Sequence, residues 1–564
     1  MSDFDVIVVG GGPAGATVAT YMALWGHRVL LYEKSDFPRY RLGESLLPST
    51  MPVLEDFGLL DKMEALGFPR KTGGSFTWGK QEEPWSVRFS ENPFLPYPYA
   101  YHVDRSVFDA VLLDRAREAG VEVRRATVDE PVLDGDRVVG VRAHATGEPQ
   151  HEELAPFVVD ASGPASVLGD RLTLRTYDGG MRQTSLHTYY RGVAGEPAGQ
   201  EGHVIVTSCE HGWFWYIPMS GGDLGEASVG LVTGQEFRPE IKELGAEGFF
   251  EKALSGAPRV QAMIGPRAER VGAVRGIKDW AFACGRMAGP GYFLAGDAAA
   301  FVDPLLSTGV TLAMLAGYSA AVCLSTALAD PGMEADATAF YDTNYKRMYS
   351  VTRDCLMYFY SGNASREGVF WEARRLMRFG ENAGAKQAFS HLVNTVAANP
   401  HPAARKQIHM FKQFMAHLEH PLGEMRKEPA FRLLMEEHGA PCLPLSALSD
   451  DTICRPNGSV SEACVIDDRE HRLRKERGIA YDQDRPVFSS TASWLLGRNF
   501  APLSGEAVEL LQEAGEKGCT WSELVDRLSE TWFMSRDEAE VEGLRVLGDL
   551  HREAFVRLHP PPAA

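Results

Sequence analysis

The sequence predicts an α/β protein in which a parallel sheet opens the chain, an antiparallel sheet is inserted into it, and a largely helical region follows. Three observations carry that expectation. The apolar run Asp5-Val6-Ile7-Val8-Val9 passes directly into Gly10-Gly11-Gly12-Pro13-Ala14-Gly15, short β-rich segments alternate with glycine-containing turns between residues 184 and 233, and beyond residue 330 the chain becomes aromatic-rich with helical spacing.

A continuous apolar run suits a strand covered on both faces, and the pattern after the glycines is helical through Trp25. A second strand, residues 29–32, ends in Glu33 and completes a βαβ opening. Helical spacing returns over residues 105–119, and Tyr292-Phe293-Leu294-Ala295 reads as the last strand of this fold, with a helix beginning near Thr308. The apolar stretch 310–324, interrupted by Gly317 and Ser319, is too short to cross a bilayer and reads as a buried helix. These elements divide the chain into a module over residues 1–330, with an inserted sheet at about 181–274, and a mainly helical region over 331–564. In the latter, 340–360, 370–379 and 405–418 read as helices and about 440–504, rich in Pro, Ser, Asp and Arg, as irregular connection. A small helical unit over 505–564 opens its helices at two capping boxes, Thr520-x-x-Glu523 and Ser535-x-x-Glu538.

Composition excludes several classes of function. The 564 residues exceed what one hydrophobic core sustains, so several structural units are expected. A net charge of −19 repels nucleic acid and anionic membranes alike. The acids that dominate residues 506–553 argue further against a DNA-reading terminal unit. The eight cysteines, Cys209, Cys284, Cys323, Cys355, Cys442, Cys454, Cys464 and Cys519, form no C-x-x-C pair, so neither a disulfide framework nor a zinc knuckle is indicated and a cytoplasmic location is expected. The N-terminus shows no basic or apolar export segment. His409, His417 and His420 lack an accompanying carboxylate pattern, so no metal site is expected.

The glycine turn carries the first chemistry. Gly10 permits a tight turn, Gly12 lets the backbone approach a pyrophosphate at a helix N-terminus, and Gly15 allows close helix packing; Pro13 and Ala14 belong to the same turn. Glu33 stands where a carboxylate would accept hydrogen bonds from a ribose. Together these are the fingerprint of a Rossmann-like dinucleotide site.

Two further segments, Arg105 within Tyr101-His102-Val103-Asp104-Arg105 and Gly296-Asp297 after the last strand, give residues 1–330 a resemblance to the class A flavin monooxygenase superfamily. That resemblance implies FAD, with Gly296 and Asp297 near its ribityl phosphate region and Asp160, in Val159-Asp160-Ala161-Ser162-Gly163, at the turn near its adenine half. Three more segments resemble the flavin-dependent halogenase branch: Arg41-Leu42-Gly43-Glu44-Ser45, whose Arg41 and Ser45 would lie against the flavin; Trp213-Phe214-Trp215-Tyr216-Ile217-Pro218; and Phe301-Val302-Asp303-Pro304-Leu305-Leu306-Ser307-Thr308-Gly309. On period-2 geometry both indoles, Trp213 and Trp215, share one strand face and would form a barrier. Pro304 removes a backbone donor and Gly309 frees the chain, so N–H groups of Ser307, Thr308 and Gly309 could face a small anion, chloride or bromide.

The resemblance further implies that FAD, used as FADH2 with oxygen, oxidises halide to hypohalous acid, which passes to a catalytic lysine. Lys71, ahead of a strand at residues 75–78, stands at the corresponding place, in preference to Lys62 and Lys80. To act as a nucleophile it needs a lowered pKa, which burial would supply. Within the branch the chain is most similar to chloramphenicol-type halogenases and those acting on carrier-tethered phenols. An ester from Asp279, in Ile277-Lys278-Asp279-Trp280, to the flavin is therefore an option, the alternative being an Asp that pairs with Arg275. No NAD(P)H-binding module is visible, so a separate flavin reductase is expected as a partner, with an acyl or peptidyl carrier protein as another. The C-terminal glutamate of tryptophan halogenases finds no match, which counts against free tryptophan as substrate. A hydroxylase or epoxidase of the same superfamily, and a non-catalytic FAD-binding protein of a biosynthetic complex, are the alternatives left open.

Overall fold

The computed structural model describes residues 2–78, 84–91, 95, 97–219, 225–361, 401–402, 448–456, 459–480, 500–502, 518–532, 534–552 and 556–559; within them the side chains of 178–182 and 278–280, among others, lie outside the description. The chain separates into two compact units, Met1–Ala404 and Arg405–Ala564.

In the first unit a six-stranded sheet runs Ala288–Gly289, Tyr292–Leu294, Phe157–Asp160, Val6–Val9, Val29–Glu33, Glu122–Arg125. Its strands pair in parallel except for Ala288–Gly289 at one edge. Val6, Ile7 and Val8 are fully buried, which is why the first strand shows no polar alternation. Gly10, at φ 103°, makes the turn into the helix Pro13–Leu24. A Cβ on Gly15 would stand 1.8 Å from the carbonyl oxygen of Gly10, so only glycine lets this helix start so close to the strand end. The helix Gly309–Ala329 packs against it; a Cβ on Gly317 would stand 2.9 Å from the Ala14 carbonyl oxygen. At 21 residues it is longer than its apolar centre suggests and is apolar enough to cross a membrane, yet 83% of its most apolar window is buried inside the unit.

The inserted sheet is larger than expected. It has eight strands in the order Ala300–Phe301, Glu269–Cys284, Arg175–Arg191, Glu226–Gly234, Gly212–Pro218, His203–Cys209, Gly73–Thr77, Trp85–Arg88, and so recruits segments on both sides of 181–274. It is also mixed: His203–Cys209 pairs with Gly73–Thr77 in parallel, the other neighbours antiparallel. One face packs on the helices Arg238–Ser255 and Pro258–Ile264 through Phe214, Tyr216, Leu231, Phe249 and Phe250, leaving the opposite face for the site.

Residue 330 is not where the structure divides. The helix Glu334–Ser361 belongs to the first unit because its aromatic stripe finds buried acceptors there: Tyr341 donates to the Leu294 carbonyl at 2.7 Å and Tyr345 to that of Gly296 at 2.9 Å. Helices expected at 370–379 and 405–418, with His409, His417 and His420, lie outside the described residues.

The second unit contains strands where irregular connection was expected. Ser459–Asp467 and Arg472–Ala480 form an antiparallel hairpin joined by Phe500–Pro502, and Ile453–Pro456 pairs with Cys519–Thr520 and Val556–His559. The Pro, Ser, Asp and Arg content of 440–504 reads as loop, and residues 459–467, SVSEACVID, carry no clean period-2 alternation that would mark a strand. Both capping boxes are formed: Glu523 Oε2 accepts from the Thr520 N–H at 2.8 Å ahead of helix Trp521–Trp532, and Glu538 Oε2 from the Ser535 N–H at 2.8 Å ahead of helix Arg536–Arg552.

Candidate active site

A cavity of about 810 Å³ lies between the glycine turn, the exposed face of the eight-stranded sheet and the loop that follows Tyr292–Leu294. At its nucleotide end stand Gly10, Gly12, Pro13, Ala14 and Glu33. Glu33 accepts the Gly11 N–H at 2.8 Å through Oε2 and the Ser35 N–H at 2.8 Å through Oε1, so it braces the turn as well as facing the cavity. No side chain caps the helix Pro13–Leu24, leaving its first N–H groups for an anionic ligand. Arg39 Nε and Ser45 Oγ are buried cavity-wall atoms with no hydrogen-bond partner among the described residues. A large cleft carrying bare N–H groups, a carboxylate and unsatisfied polar atoms fits a dinucleotide such as FAD.

Arg105 reaches the cavity, but most of its donors serve the protein. Its guanidinium contacts both oxygens of the fully buried Asp109, at 2.8 and 3.1 Å, and donates to the Leu42 and Gly43 carbonyls at 2.8 and 3.2 Å. It thereby holds the Arg41–Ser45 segment against the cavity. Asp160 is likewise a brace: it accepts from the Ser162 and Leu168 N–H groups at 3.0 and 2.7 Å, and it is Ala161, Ser162 and Gly163 that line the cavity.

At the other end, Trp213 and Trp215 both line the cavity from one strand face, ring centroids 6.1 Å apart. Trp215 lies over Gly230, where a Cβ would come within 2.1 Å of the indole. Opposite are Asp297, Asp303, Pro304, Ser307, Thr308 and Gly309. Ser307 adopts the left-handed conformation, φ 58° and ψ 30°, which turns the chain into the helix Gly309–Ala329; Thr308 supplies no side-chain cap there. Uncapped N–H groups therefore face the cavity at this helix start.

Three buried acids surround this end. Burial pushes Glu44 up to about 7 against the opposing pull of Tyr189 and Ser228, and Tyr189 donates a short hydrogen bond to its Oε1. Burial raises Asp297 to about 6 despite Arg105 and Arg41, and Asp303 to about 6 despite the Leu305 N–H and the Tyr360 hydroxyl. An anion entering here meets less negative charge than the residue types suggest.

Lys71 is fully buried on the short strand Arg70–Lys71, paired with Ala100–Tyr101. It does not line the cavity. Its Nζ has no hydrogen-bond partner among the described residues and lies 5.8 Å from the Phe89 ring centroid. Desolvation brings the amine down from 10.5 to about 7. Its polar surroundings stay neutral: His102 is lowered to about 3 by burial and by the Lys71 charge, and His203 to about 4 by burial, Arg88 and Lys71. The lysine strand is two residues before Gly73–Thr77, whose neighbour His203–Cys209 sends Val204 and Val206 to the cavity wall.

The structure thus gathers Gly10, Gly12, Pro13, Ala14, Glu33, Arg41, Ser45, Arg105, Trp213, Trp215, Gly296, Asp297, Pro304, Ser307, Thr308 and Gly309 around one cavity, and leaves Gly15, Lys71 and Asp160 outside its lining. The Asp279 backbone pairs with Gln183, but its side chain lies outside the described residues. Sequence reasoning assigned no role to Glu44, Asp303 and Tyr360. The first two had a signal, an acid inside each of two glycine-containing cavity loops; Tyr360, fifty-odd residues from the loop it meets, had none.

Comparison with known proteins places this geometry in a family. The tryptophan halogenase family profile matches residues 5–96 and 91–413. A tryptophan 2-halogenase of Chondromyces crocatus is 35% identical over 380 residues, 66% of this chain and 71% of that one. A 1H-pyrrole-2-carbonyl-[peptidyl-carrier protein] chlorinase of Pseudomonas fluorescens is 32% identical over 336 residues, 55% of this chain and 73% of that one. Among solved structures, the myxobacterial chondrochloren halogenase CndH superposes with a TM-score of 0.63 at 37% identity, over 70% of this chain and 90% of that one. CmlS, a flavin-dependent halogenase, shares the fold with a TM-score of 0.72 at 24% identity, over 100% of this chain and 98% of that one. The chain belongs to the tryptophan halogenase family and is a flavin-dependent halogenase, an oxidoreductase whose family uses FAD and a halide.

Proposed function

We propose that this enzyme halogenates an electron-rich aromatic, a phenol or pyrrole, using Lys71 as the group that receives hypohalous acid and presents it to the substrate. The buried, unpartnered Lys71 amine with its pKa brought to about 7 is the observation that carries this reading. Reduced FAD, when bound, supplies with oxygen the oxidising power that converts halide to hypohalous acid. Gly10, Gly12, Pro13, Ala14 and the N–H groups of the first helical turn bind its pyrophosphate, Glu33 its ribose, and Arg41, Ser45, Gly296, Asp297 and Pro304 its flavin half. The N–H groups of Thr308 and Gly309 hold the halide, beside Ser307, whose own N–H donates to the Pro304 carbonyl at 3.1 Å. Trp213 and Trp215 exclude water and keep substrate from the flavin. Desolvation brings the Lys71 amine down to about 7, so near neutral pH the form with a free lone pair is accessible. That nitrogen takes the halogen from hypohalous acid, forming an N–halogen bond as the halogen–oxygen bond breaks and releasing water. A protonated amine can instead orient the acid by hydrogen bonding. The halogen passes to carbon as an electrophile, which is why an electron-rich ring is preferred.

The carrier-bound pyrrole of the Pseudomonas relative motivates a peptidyl or acyl carrier protein as the substrate's bearer here, and the single Gly-rich nucleotide loop seen in the sequence motivates a separate NAD(P)H-dependent reductase as the source of FADH2. Chloride is the preferred halide in this reading, and the cytoplasm the compartment.

The test supplies chemically reduced FAD, oxygen and labelled chloride with a panel of free and carrier-bound phenols and pyrroles, and free tryptophan. Label in a phenol or pyrrole, lost in Lys71→Ala with FAD binding intact, supports the proposal. Label in tryptophan alone, or chlorination undiminished in Lys71→Ala, overturns it. Intact mass after denaturation reports whether flavin stays attached through Asp279.

A further inference from the structure

The hydroxyl of Tyr360, on the helix Glu334–Ser361, lies between the loop proposed to hold the halide and Trp78, which follows the strand after Lys71. Tyr360 is 1% exposed. Its oxygen receives the Trp213 indole N–H at 3.0 Å, and its hydroxyl donates to Asp303 Oδ2 at 3.0 Å. Gln183 adds longer contacts on both sides, its Nε2 donating to the phenol oxygen at 3.3 Å and its Oε1 standing 3.4 Å from the hydroxyl, farther than Asp303. The direction follows from the donor inventory. An indole can only donate, so the phenol oxygen must accept there, and its own proton is then committed to an acceptor. Asp303 is fixed in turn, since its Oδ1 accepts the Leu305 N–H at 2.8 Å at the start of the halide loop. On its ring face Tyr360 meets Trp78, centroids 5.8 Å apart, and Trp78 meets Trp213 at 6.4 Å. Trp78 directly follows the strand Gly73–Thr77, which begins two residues after Lys71.

Asp303 and Trp213 both form cavity wall, whereas Tyr360 stands behind it. The phenol therefore ties a loop after the parallel sheet to an indole of the inserted sheet, and packs on the tryptophan next to the lysine strand. We propose that Tyr360 is a positioning residue that, through Asp303 and Trp213, locks the wall between halide loop and lysine strand and so keeps hypohalous acid from escaping before it reaches Lys71. This rests on the Lys71 reading above. Removing the hydroxyl leaves the indole N–H and a carboxylate oxygen buried without their partner, so the wall must rearrange to find one.

The experiment is a single turnover with reduced FAD, oxygen and chloride, without organic substrate, in the presence of a cyclic 1,3-diketone that consumes free hypochlorous acid. Oxidising equivalents retained on the protein are titrated with a thiol after rapid desalting, and escaped equivalents are counted as chlorinated diketone. Tyr360→Phe keeps the ring on Trp78 and deletes only the hydroxyl. Its ratio of retained to escaped equivalents should fall about tenfold, the scale of one buried hydrogen bond, with chloride affinity and flavin content within about twofold of wild type. Trp213→Phe, which removes the donor instead, should fall similarly. In flavin-free protein, the iodide-quenchable fluorescence that is absent from Trp213→Phe should increase in Tyr360→Phe. A retained-to-escaped ratio equal to wild type in either folded variant overturns the proposal. So does a fall matched by an equal loss of chloride affinity, which would place the defect in the halide loop alone. Lys71→Ala separates the two readings: retention unchanged in Lys71→Ala removes the lysine role, while the escape measured in Tyr360→Phe still decides whether the wall leaks.

Discussion

Burying an amine without a partner destabilises the folded chain, and at Lys71 the size and pH dependence of that effect can be worked out. The group titrates at 10.5 in the unfolded chain and at about 7 in the folded one. Between those values the unfolded state binds the extra proton, so stability rises with pH across that window. The linkage relation gives a penalty of about 4 kcal/mol at pH 7, about 2 kcal/mol at pH 9, and little above pH 10.5. Lys71→Met keeps the stem packed against Phe89 and removes the amine. It should therefore be more stable than wild type by about 4 kcal/mol at pH 7, with the advantage shrinking to about 2 kcal/mol at pH 9. Equilibrium urea unfolding of both proteins at the two pH values, followed by far-UV circular dichroism, measures this. Equal stabilities, or an advantage that does not change with pH, would refute the account of Lys71 as a desolvated amine. An amine buried at that cost with no hydrogen-bond partner among the described residues points to a role other than folding.

Three further perturbations probe the rest of the site. Arg105→Met leaves the buried Asp109 with Arg39, at 3.3 Å, as its remaining guanidinium partner and should destabilise by about 1–3 kcal/mol in thermal melts, with Asp109→Asn on the same chain restoring part of the loss. Gly15→Ala puts a methyl 1.8 Å from the Gly10 carbonyl oxygen, so the turn must shift; about 1–3 kcal/mol of stability should go with it, and bound flavin should be lost on gel filtration. Asp303 and Asp297, both near 6, are neutral below that pH and charged above it, so chloride affinity should weaken about tenfold as pH rises from 5 to 8, and Asp303→Asn should flatten the curve. Chloride titrations followed through the flavin spectrum would show this; a pH-independent affinity in wild type would contradict it.

The nucleotide end of the site was legible because its determinants are local. Gly10, Gly12 and Gly15 act within one turn, and Glu33 is one strand away, so spacing along the chain reports spacing in space. The inserted sheet was read too small because the strand Gly73–Thr77 joins it through a parallel pairing with His203–Cys209, about 130 residues away. No periodicity within either segment encodes that partnership. The burial of the helix Glu334–Ser361 in the first unit was missed for a similar reason: its tyrosines look like any aromatic stripe until their acceptors, the Leu294 and Gly296 carbonyls, are known. Arg105 carries two signals at once: it lines the cavity, and its i,i+4 spacing to Asp109, which the sequence also shows, commits most of its donors there and to Leu42 and Gly43.

The proposed chemistry accounts for why burial, rather than pairing, governs so many of these ionisable groups. Hypohalous acid reacts with water-borne nucleophiles, so its route has to be dry, and a dry route desolvates whatever lines it. Desolvation raises the pKa of acids and lowers that of bases, so the same absence of water that protects the electrophile moves Glu44 to about 7, Asp297 and Asp303 to about 6, and Lys71 to about 7. Near neutral pH Glu44 sheds part of the charge that would repel a halide, Asp297 and Asp303 do so as pH falls through about 6, and the lysine uncovers the lone pair that a cationic amine lacks. An arginine at position 71 could not do this, because its guanidinium keeps its proton even when buried. In the proposed mechanism lysine is thus the residue in which the physical condition for guarding the oxidant and the chemical condition for accepting it coincide.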